Sequence, residues 1–299
     1  LLRAARFVAQ LGFRIDAETE AAMERHAASL VRISRERIYA ELGKLLVGPY
    51  VDHALETLRR TGLLTYALPE LAPLAAEAET PAHARANREK DLWDHTLRVV
   101  RQAPARPTVR WAALLHDAAK PQTRGIGPDG DVHFFGHERQ GADLAARMLR
   151  RLKADRHTQE AVALLVALHG RPAAYDAGWT DSAVRRLALE AGDVWDDLLD
   201  LAAADVTSAR EFKQRQAAQR VADLRGHFDR LQAEADLANL QSPLDGDALM
   251  ALFGRGPGVW IKHVKDHLRD LVIDGELAPG DTERAAEITA AWLADHPEG

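Results

Sequence analysis

The 299-residue sequence contains no cysteine, which excludes disulfides, thiol nucleophiles and Cys-ligated zinc and agrees with a reducing compartment. Its longest apolar run, Ala161–Leu168, is far short of the roughly 20 residues that span a bilayer, and no signal peptide is visible. Aromatic residues make up 6%, few for a β-rich protein. Overall basicity is also missing: 39 Lys+Arg stand against 45 Asp+Glu, a formal charge of −6, so nothing in the total advertises a nucleic-acid partner. Lysine itself is scarce, seven residues, so the cations are mostly arginine, the better bidentate phosphate ligand. An initiating methionine is lacking too. The chain opens on Leu1-Leu2-Arg3, inside an amphipathic pattern with no cap, and is expected to be the C-terminal portion of something longer. What remains, 46% hydrophobic and 28% charged, is the balance of a globular protein with a sizeable core. A cytoplasmic location without a membrane partner is expected.

Helical periodicity runs nearly throughout. Apolar residues recur three and four apart in Arg37–Leu46, Val51–Arg60, Leu92–Arg101, Gln140–Leu152, Thr158–Leu168 and Val264–Val272. Gly12 and Gly48-Pro49 punctuate the pattern. Pro121 is expected to stop the helix holding Trp111–Lys120, and Thr180-Asp181 to cap Ser182–Leu189. The single strand-like stretch, Asp129–Phe135, predicts at most one small hairpin. The fold class is therefore all-α. Composition divides the chain at 1–82, 83–210 and 211–299, the middle segment holding most of the unusual histidines and the first ending in the Pro- and Ala-rich run Leu68–Ala82.

The chemistry gathers in that middle segment. A His-Asp dipeptide is expected about once by composition, so His116-Asp117 alone says nothing. Its setting says more. Trp111-Ala-Ala-Leu-Leu-His-Asp-Ala-Ala-Lys-Pro121 places the pair at the end of an apolar helix, where an ionisable pair must be hydrogen-bonded or metal-bound. His95, His137, His169 and Asp205 lie in or beside other apolar helices. Imidazole and carboxylate donors suit Mn, Fe, Co, Ni or Zn, an Asp can bridge two ions, and six ligands are enough for a binuclear centre. The alternative is six satisfied polar residues of a core.

At these residues the sequence resembles a known superfamily. The order His95, His116-Asp117, His137, His169, Asp205 is similar to the HD-domain metal-dependent phosphohydrolases. Leu115-His-Asp-Ala-Ala-Lys-Pro-Gln-Thr-Arg124, Phe135-Gly-His-Glu138, Gly141-Ala142 and His169-Gly-Arg-Pro172 resemble the HD domain inside bacterial tRNA nucleotidyltransferases, the CCA-adding and poly(A) polymerase family. Leu2–Phe13 and Glu36–Leu46 resemble that family's RNA-binding neck; Ser242–Met250 and Gly256–Ile261 resemble its tail. Two departures stand out. Ala119 replaces the usual Gly. No Gly-Gly phosphate turn with paired catalytic aspartates appears, so this polypeptide alone is not expected to polymerise nucleotides.

The resemblance implies a helical HD domain at 83–210 flanked by a neck at 1–82 and a tail at 211–299. It implies one or two divalent ions (Ni, Mn, Co, Mg, Fe or Zn) on His95, His116, Asp117, His137, His169 and Asp205, with Asp117 as the bridge. Hydrolysis of 2′,3′-cyclic phosphates, 2′-nucleotides or related phosphomonoesters would proceed by a metal-bound hydroxide attacking phosphorus. Asp117 and Lys120 are the catalytic candidates, and Lys120, Arg124 and Arg171 would hold phosphate oxygens. Arg3, Arg6, Arg35 and Arg37 are candidates for RNA, as is the cluster Arg150, Arg151, Lys153 and Arg156; His133 is expected on the hairpin surface and Trp260 in the core. The expected partners are tRNA or RNA 3′ ends, nucleotides, or both. Two other readings are a tRNA-binding body whose catalytic head is missing or separate, and a stand-alone small-nucleotide hydrolase. The charge balance is local: residues 1–175 carry a net +5, and the acidity lies further along.

Overall fold

A computed structural model of the chain describes residues 1–76, 92–206, 211–234 and 241–296. The expected boundary at 82/83, the end of the Pro- and Ala-rich run and the residue before 211 fall outside them. In chain order the elements are α1 (Leu2–Leu11), α2 (Ala17–His26), α3 (Arg35–Leu46), α4 (Val51–Arg60), α5 (Leu63–Ala67), α6 (Ala72–Ala76), α7 (Leu92–Gln102), α8 (Pro107–Leu115) and α9 (Lys120–Thr123). The hairpin β1 (Gly125–Ile126) and β2 (Val132–His133) follows, then α10 (His137–Arg151), α11 (Arg156–Leu168), α12 (Asp181–Ala191), α13 (Trp195–Ala204), α14 (Glu211–Glu234), α15 (Gly246–Phe253), α16 (Val259–Asp274) and α17 (Thr282–Asp295). Among the described residues this hairpin is the only sheet, and no helix is long and apolar enough to cross a membrane. The chain is all-α with one small hairpin.

Two compact units divide it: residues 1–175 with 191–222, and residues 176–190 with 223–299. They cut across the compositional segments, because the first unit takes in both the 1–82 stretch and most of 83–210. Residues 176–190 pack instead with the tail. Within that unit Asp181 accepts from His227 at 2.8 Å and from Arg230 at 2.9 Å, Arg186 pairs with Asp274, and Val184 and Leu187 of α12 are fully buried. The second unit's core is Leu244, Leu249, Trp260, Val264, Leu268, Val272, Leu277 and Ala285, so Trp260 is a core residue, its indole N–H donating to the Gly256 carbonyl at 2.9 Å.

In the first unit α1 packs on α3 and α4, α4 on α7, and α7, α11 and α13 on α8. The turn between α3 and α4 presses directly on α1. A Cβ at Gly48 would stand 2.5 Å from the Ala9 carbonyl oxygen, the same atom that accepts from the Tyr50 N–H at 2.9 Å. Backbone cannot move aside there, so Gly48→Ala is expected to cost about 1–3 kcal/mol. A thermal melt checks this, and an unchanged midpoint would contradict it.

Helix starts follow the chemistry of caps: Asp155 accepts from the Thr158 N–H at 2.8 Å, and Thr180 Oγ1 from the Ala183 N–H at 3.2 Å. One expectation is corrected. Pro121 does not end a helix running to Lys120; α8 stops at Leu115, residues 116–119 form turns, and Pro121 lies inside α9. Lacking an N–H, Pro121 cannot donate to the Asp117 carbonyl, and the Lys120 N–H takes that acceptor at 3.0 Å instead. The chain is tightened just where His116 and Asp117 sit.

Candidate metal centre

Helix ends build this site. Residues Val109–Leu115 of α8 are all buried, and the chain leaves the helix carrying His116 and Asp117 into the core, 0% and 1% exposed. His169 directly follows α11, Asp205 directly follows α13, and His137 opens α10. Before it, Gly136 turns the chain at φ 78°, a left-handed conformation that favours glycine. His95 alone lies within a helix, on the buried face of α7 with Trp93, Thr96 and Val99.

The same device orients three of the rings. His116 Nδ1 meets the Ala113 carbonyl at 2.8 Å, His137 Nδ1 the Phe134 carbonyl at 2.8 Å, and His169 Nδ1 the Val166 carbonyl at 2.7 Å. A carbonyl only accepts, so each Nδ1 carries the proton and donates it. Ala113 and Val166 belong to the last turns of their helices, whose carbonyls have no helical partner, so the rings satisfy the backbone and the backbone fixes the rings. Each Nε2 is thereby left to face the site.

Two groups of donor atoms result, sharing Asp117. In the first, His95 Nε2 lies 3.0 Å from Asp205 Oδ1, 3.2 Å from His116 Nε2 and 3.4 Å from Asp117 Oδ2. His116 Nε2 lies 3.3 Å from Asp117 Oδ2 and 3.5 Å from Asp205 Oδ1. In the second, Asp117 Oδ1 faces His137 Nε2 at 3.6 Å and His169 Nε2 at 3.8 Å. Asp117 Oδ1 is buried and has no hydrogen-bond partner among the described residues, an arrangement costly to leave uncompensated. Metal–donor bonds of about 2.0–2.2 Å place neighbouring donors roughly 3.0–3.5 Å apart, the spacing of the first group. A mixed imidazole and carboxylate set suits divalent transition ions. The His/Asp cluster is compatible with divalent metal binding.

Charge in the cluster is arranged accordingly. Burial alone would depress the His116 pKa, but the Asp117 and Asp205 carboxylates facing it push it up to about 10. Burial also opposes ionisation of those two acids, yet His116, with Lys120 beside Asp117 and His95 beside Asp205, holds both below the usual carboxylate range. Burial, then the His116 charge, pushes His169 down to about 4. Metal-free, the centre thus keeps a proton on His116 Nε2 against two carboxylates. An ion taking that nitrogen must displace the proton, so binding at about pH 8 should release about one proton and weaken as pH falls. Titration calorimetry in two buffers of different ionisation heat reads the release; a heat independent of buffer would contradict it.

The remaining candidates are distributed unequally. Lys120 Nζ donates to Asp117 Oδ2 at 2.7 Å and lies 5.5 Å from the Phe134 ring centroid, so it sits at the centre itself. Arg124 follows α9 and is half-buried; Arg171 is exposed two residues past His169. In the neck-like region Arg3 and Arg37 line a cleft of about 460 Å³ with Ile33 and Glu41, whereas Arg35 is not among its walls. Arg6 is engaged internally, donating to Glu41 at 2.8 Å and Gln10 at 3.0 Å. In the second basic cluster, Arg151 is held by Glu70 at 2.6 Å and Arg156 by Glu160 at 2.7 Å. His133 is half-buried rather than a free surface residue: it stacks on Phe135 at 4.2 Å and covers Gly125. The sequence motif Phe135-Gly-His-Glu138 includes Glu138 but gave it no role; the Glu138 Oε2 lies 3.3 Å from His137 Nδ1. Its place directly after His137 was the available signal.

Comparison with known proteins places these features in context. Residues 12–74 match the family model described as the probable RNA and SrmB-binding site of polymerase A, and residues 92–210 match the HD domain. The CC-adding tRNA nucleotidyltransferase of Thermus thermophilus is 31% identical over 315 residues, covering 99% of this chain and 69% of that protein. The A-adding tRNA nucleotidyltransferase of Deinococcus radiodurans is likewise 31% identical, covering 99% of this chain and 68% of its own length. The crystal structure of the Bacillus stearothermophilus CCA-adding enzyme in complex with CTP shares the fold at a TM-score of 0.62 and 24% identity, over 99% of this chain and 62% of that one.

Proposed function

The chain belongs to the tRNA nucleotidyltransferase family, and from that premise we propose that it is the tRNA-holding body of such an enzyme, carrying a metal-dependent phosphohydrolase in its HD domain. The first half of the reading is supported by relatedness along 99% of the chain to CC- and A-adding enzymes. On this reading residues 1–82 hold RNA, 83–210 form the HD domain and 211–299 form the tail. The cytoplasm, where tRNA is used, is its place of work. A tRNA gel shift tests it. Retardation at about 50 mM salt is expected, with affinity falling steeply as salt rises. Replacing Arg3 and Arg37 together with Ala should lower the salt slope by about two, each contact contributing about 0.9. Arg6→Ala should act on stability instead, because its guanidinium belongs to Glu41. No retardation at low salt would contradict RNA binding and favour a small-nucleotide hydrolase.

The second half rests on Asp117, one buried carboxylate whose two oxygens face two separate sets of imidazoles. Divalent ions held there supply electrophilic activation of a phosphoryl oxygen and a lowered pKa for water. The chain's own residues do the rest. His95, His116, Asp117 and Asp205 form one position, and Asp117, His137 and His169 the other. The backbone anchors at Nδ1 keep three imidazoles from turning away. Lys120, Arg124 and Arg171 offer positive charge to phosphate oxygens at the RNA 3′ end or on a free nucleotide. Hydrolysis of a 2′,3′-cyclic nucleotide in the presence of Ni, Mn, Co or Mg is the expected activity. No turnover with any of these ions would leave the tRNA-holding body alone standing.

A further inference from the structure

Among the described residues, of the three backbone-anchored imidazoles only His137 also has a carboxylate within reach of its Nδ1. Glu138 Oε2 stands 3.3 Å from that nitrogen, whose proton the Phe134 carbonyl takes at 2.8 Å. The other carboxylate oxygen reaches toward the second imidazole's segment: a Cβ at Gly170 would stand 3.7 Å from Glu138 Oε1, and Gly170 directly follows His169. Glu138 therefore extends along the rim of the Asp117–His137–His169 group, with its side chain 40% exposed. That group is also the poorer in charge. Each group pairs two imidazoles with Asp117, but beside the first Asp205 Oδ1 adds a second carboxylate, 3.0 Å from His95 Nε2 and 3.5 Å from His116 Nε2. Phe134 already fixes the ring; a carboxylate close to the same nitrogen places negative charge beside it and raises the basicity of the other ring nitrogen.

We infer that Glu138 is a positioning residue for His137, which strengthens the charge-poor position so that it holds its ion. The inference rests on the metal reading above. It differs from the ordinary role of an acid in a first helical turn, which would favour the start of α10 and leave metal affinity alone.

Calorimetric titration of metal-free protein with Co²⁺, with the visible cobalt spectrum recorded alongside, tests it. Wild type should show a tighter and a weaker binding event. Glu138→Ala should weaken the weaker event by about 10–100-fold and change the second set of cobalt bands, leaving the tighter event and the melting midpoint as they were. Glu138→Gln keeps an acceptor but not the charge, and should fall between the two. Identical affinities and spectra in Glu138→Ala and wild type would overturn the inference and leave the metal reading intact. Equal weakening of both events would overturn it too, since it would mark a general electrostatic effect. If wild type takes up no cobalt, the metal reading itself fails and the inference falls with it.

Discussion

Asp117→Asn is expected to remove hydrolysis and metal loading together. Asn matches the carboxylate in shape but brings no charge to either group of donors. The groups facing its two oxygens would then surround a neutral amide. Removing one partner from a buried charge cluster costs about 3–5 kcal/mol. If that loss falls on the transition state, the rate drops by roughly 10²–10⁴-fold. Metal-free protein should suffer as well, because His116 and Lys120 lose the counter-charge that Asp117 gives them at 3.3 Å and 2.7 Å. The His116 pKa, pushed up to about 10 by its carboxylate neighbours, should then fall. Initial rates with a cyclic nucleotide, elemental analysis and a melt measure the three effects. A variant that stays loaded with metal and turns over at the wild-type rate would remove Asp117 from the centre.

The second large effect is expected at a residue that is not itself a candidate ligand. Trp111 is fully buried in α8 and stacks on Tyr39 of α3 at 5.8 Å with the planes 13° apart. Trp111→Ala should cost about 3–5 kcal/mol through lost burial and the cavity left behind. In a body of this size each kcal/mol lowers the melting midpoint by about 2–4 °C, so a drop of roughly 6–20 °C is expected. Because His116 hangs from the end of the same helix, metal affinity should weaken with it, and Trp111→Phe should retain most of both. A midpoint within about 2 °C of wild type would show that α8 is not anchored here.

Much of this was legible in the sequence, for identifiable reasons. Val51–Arg60 is helical over the expected span, and Leu92–Arg101 gains one residue, because apolar spacing survives as long as one face is buried. The expected starts at Thr158 and Val264 came too late. The first turn of α11 is polar and only its Asp155 cap marks the beginning, whereas α16 opens on the consecutive apolar residues Val259-Trp260-Ile261, which do not register as a three-and-four spacing. The hairpin was placed with its turn and return strand but not with Gly125–Ile126, since two residues are too few for alternation to register. Pro121 predicts a helix stop, whereas the break lies at Leu115, with residues 116–119 in turns before α9.

For the site, the order of histidines and aspartates brought six residues forward, and the fold draws their donor atoms together. Pattern could not reveal that helix-end carbonyls orient the rings, or that the two Asp117 oxygens divide the donors. Those are properties of chain ends meeting in space. The same limit applies to Arg6, basic in sequence and internally paired in the fold, and to Glu138, unremarkable until its distance to His137 is known.

Anomalous diffraction from crystals soaked in Mn²⁺ tests the metal centre most directly. Two peaks are predicted, one bounded by His95, His116, Asp117 and Asp205, the other by Asp117, His137 and His169. An absence of anomalous density beside Asp117, with His116 still bonded to the carboxylates around it, would show a buried ion-pair cluster in place of a metal centre.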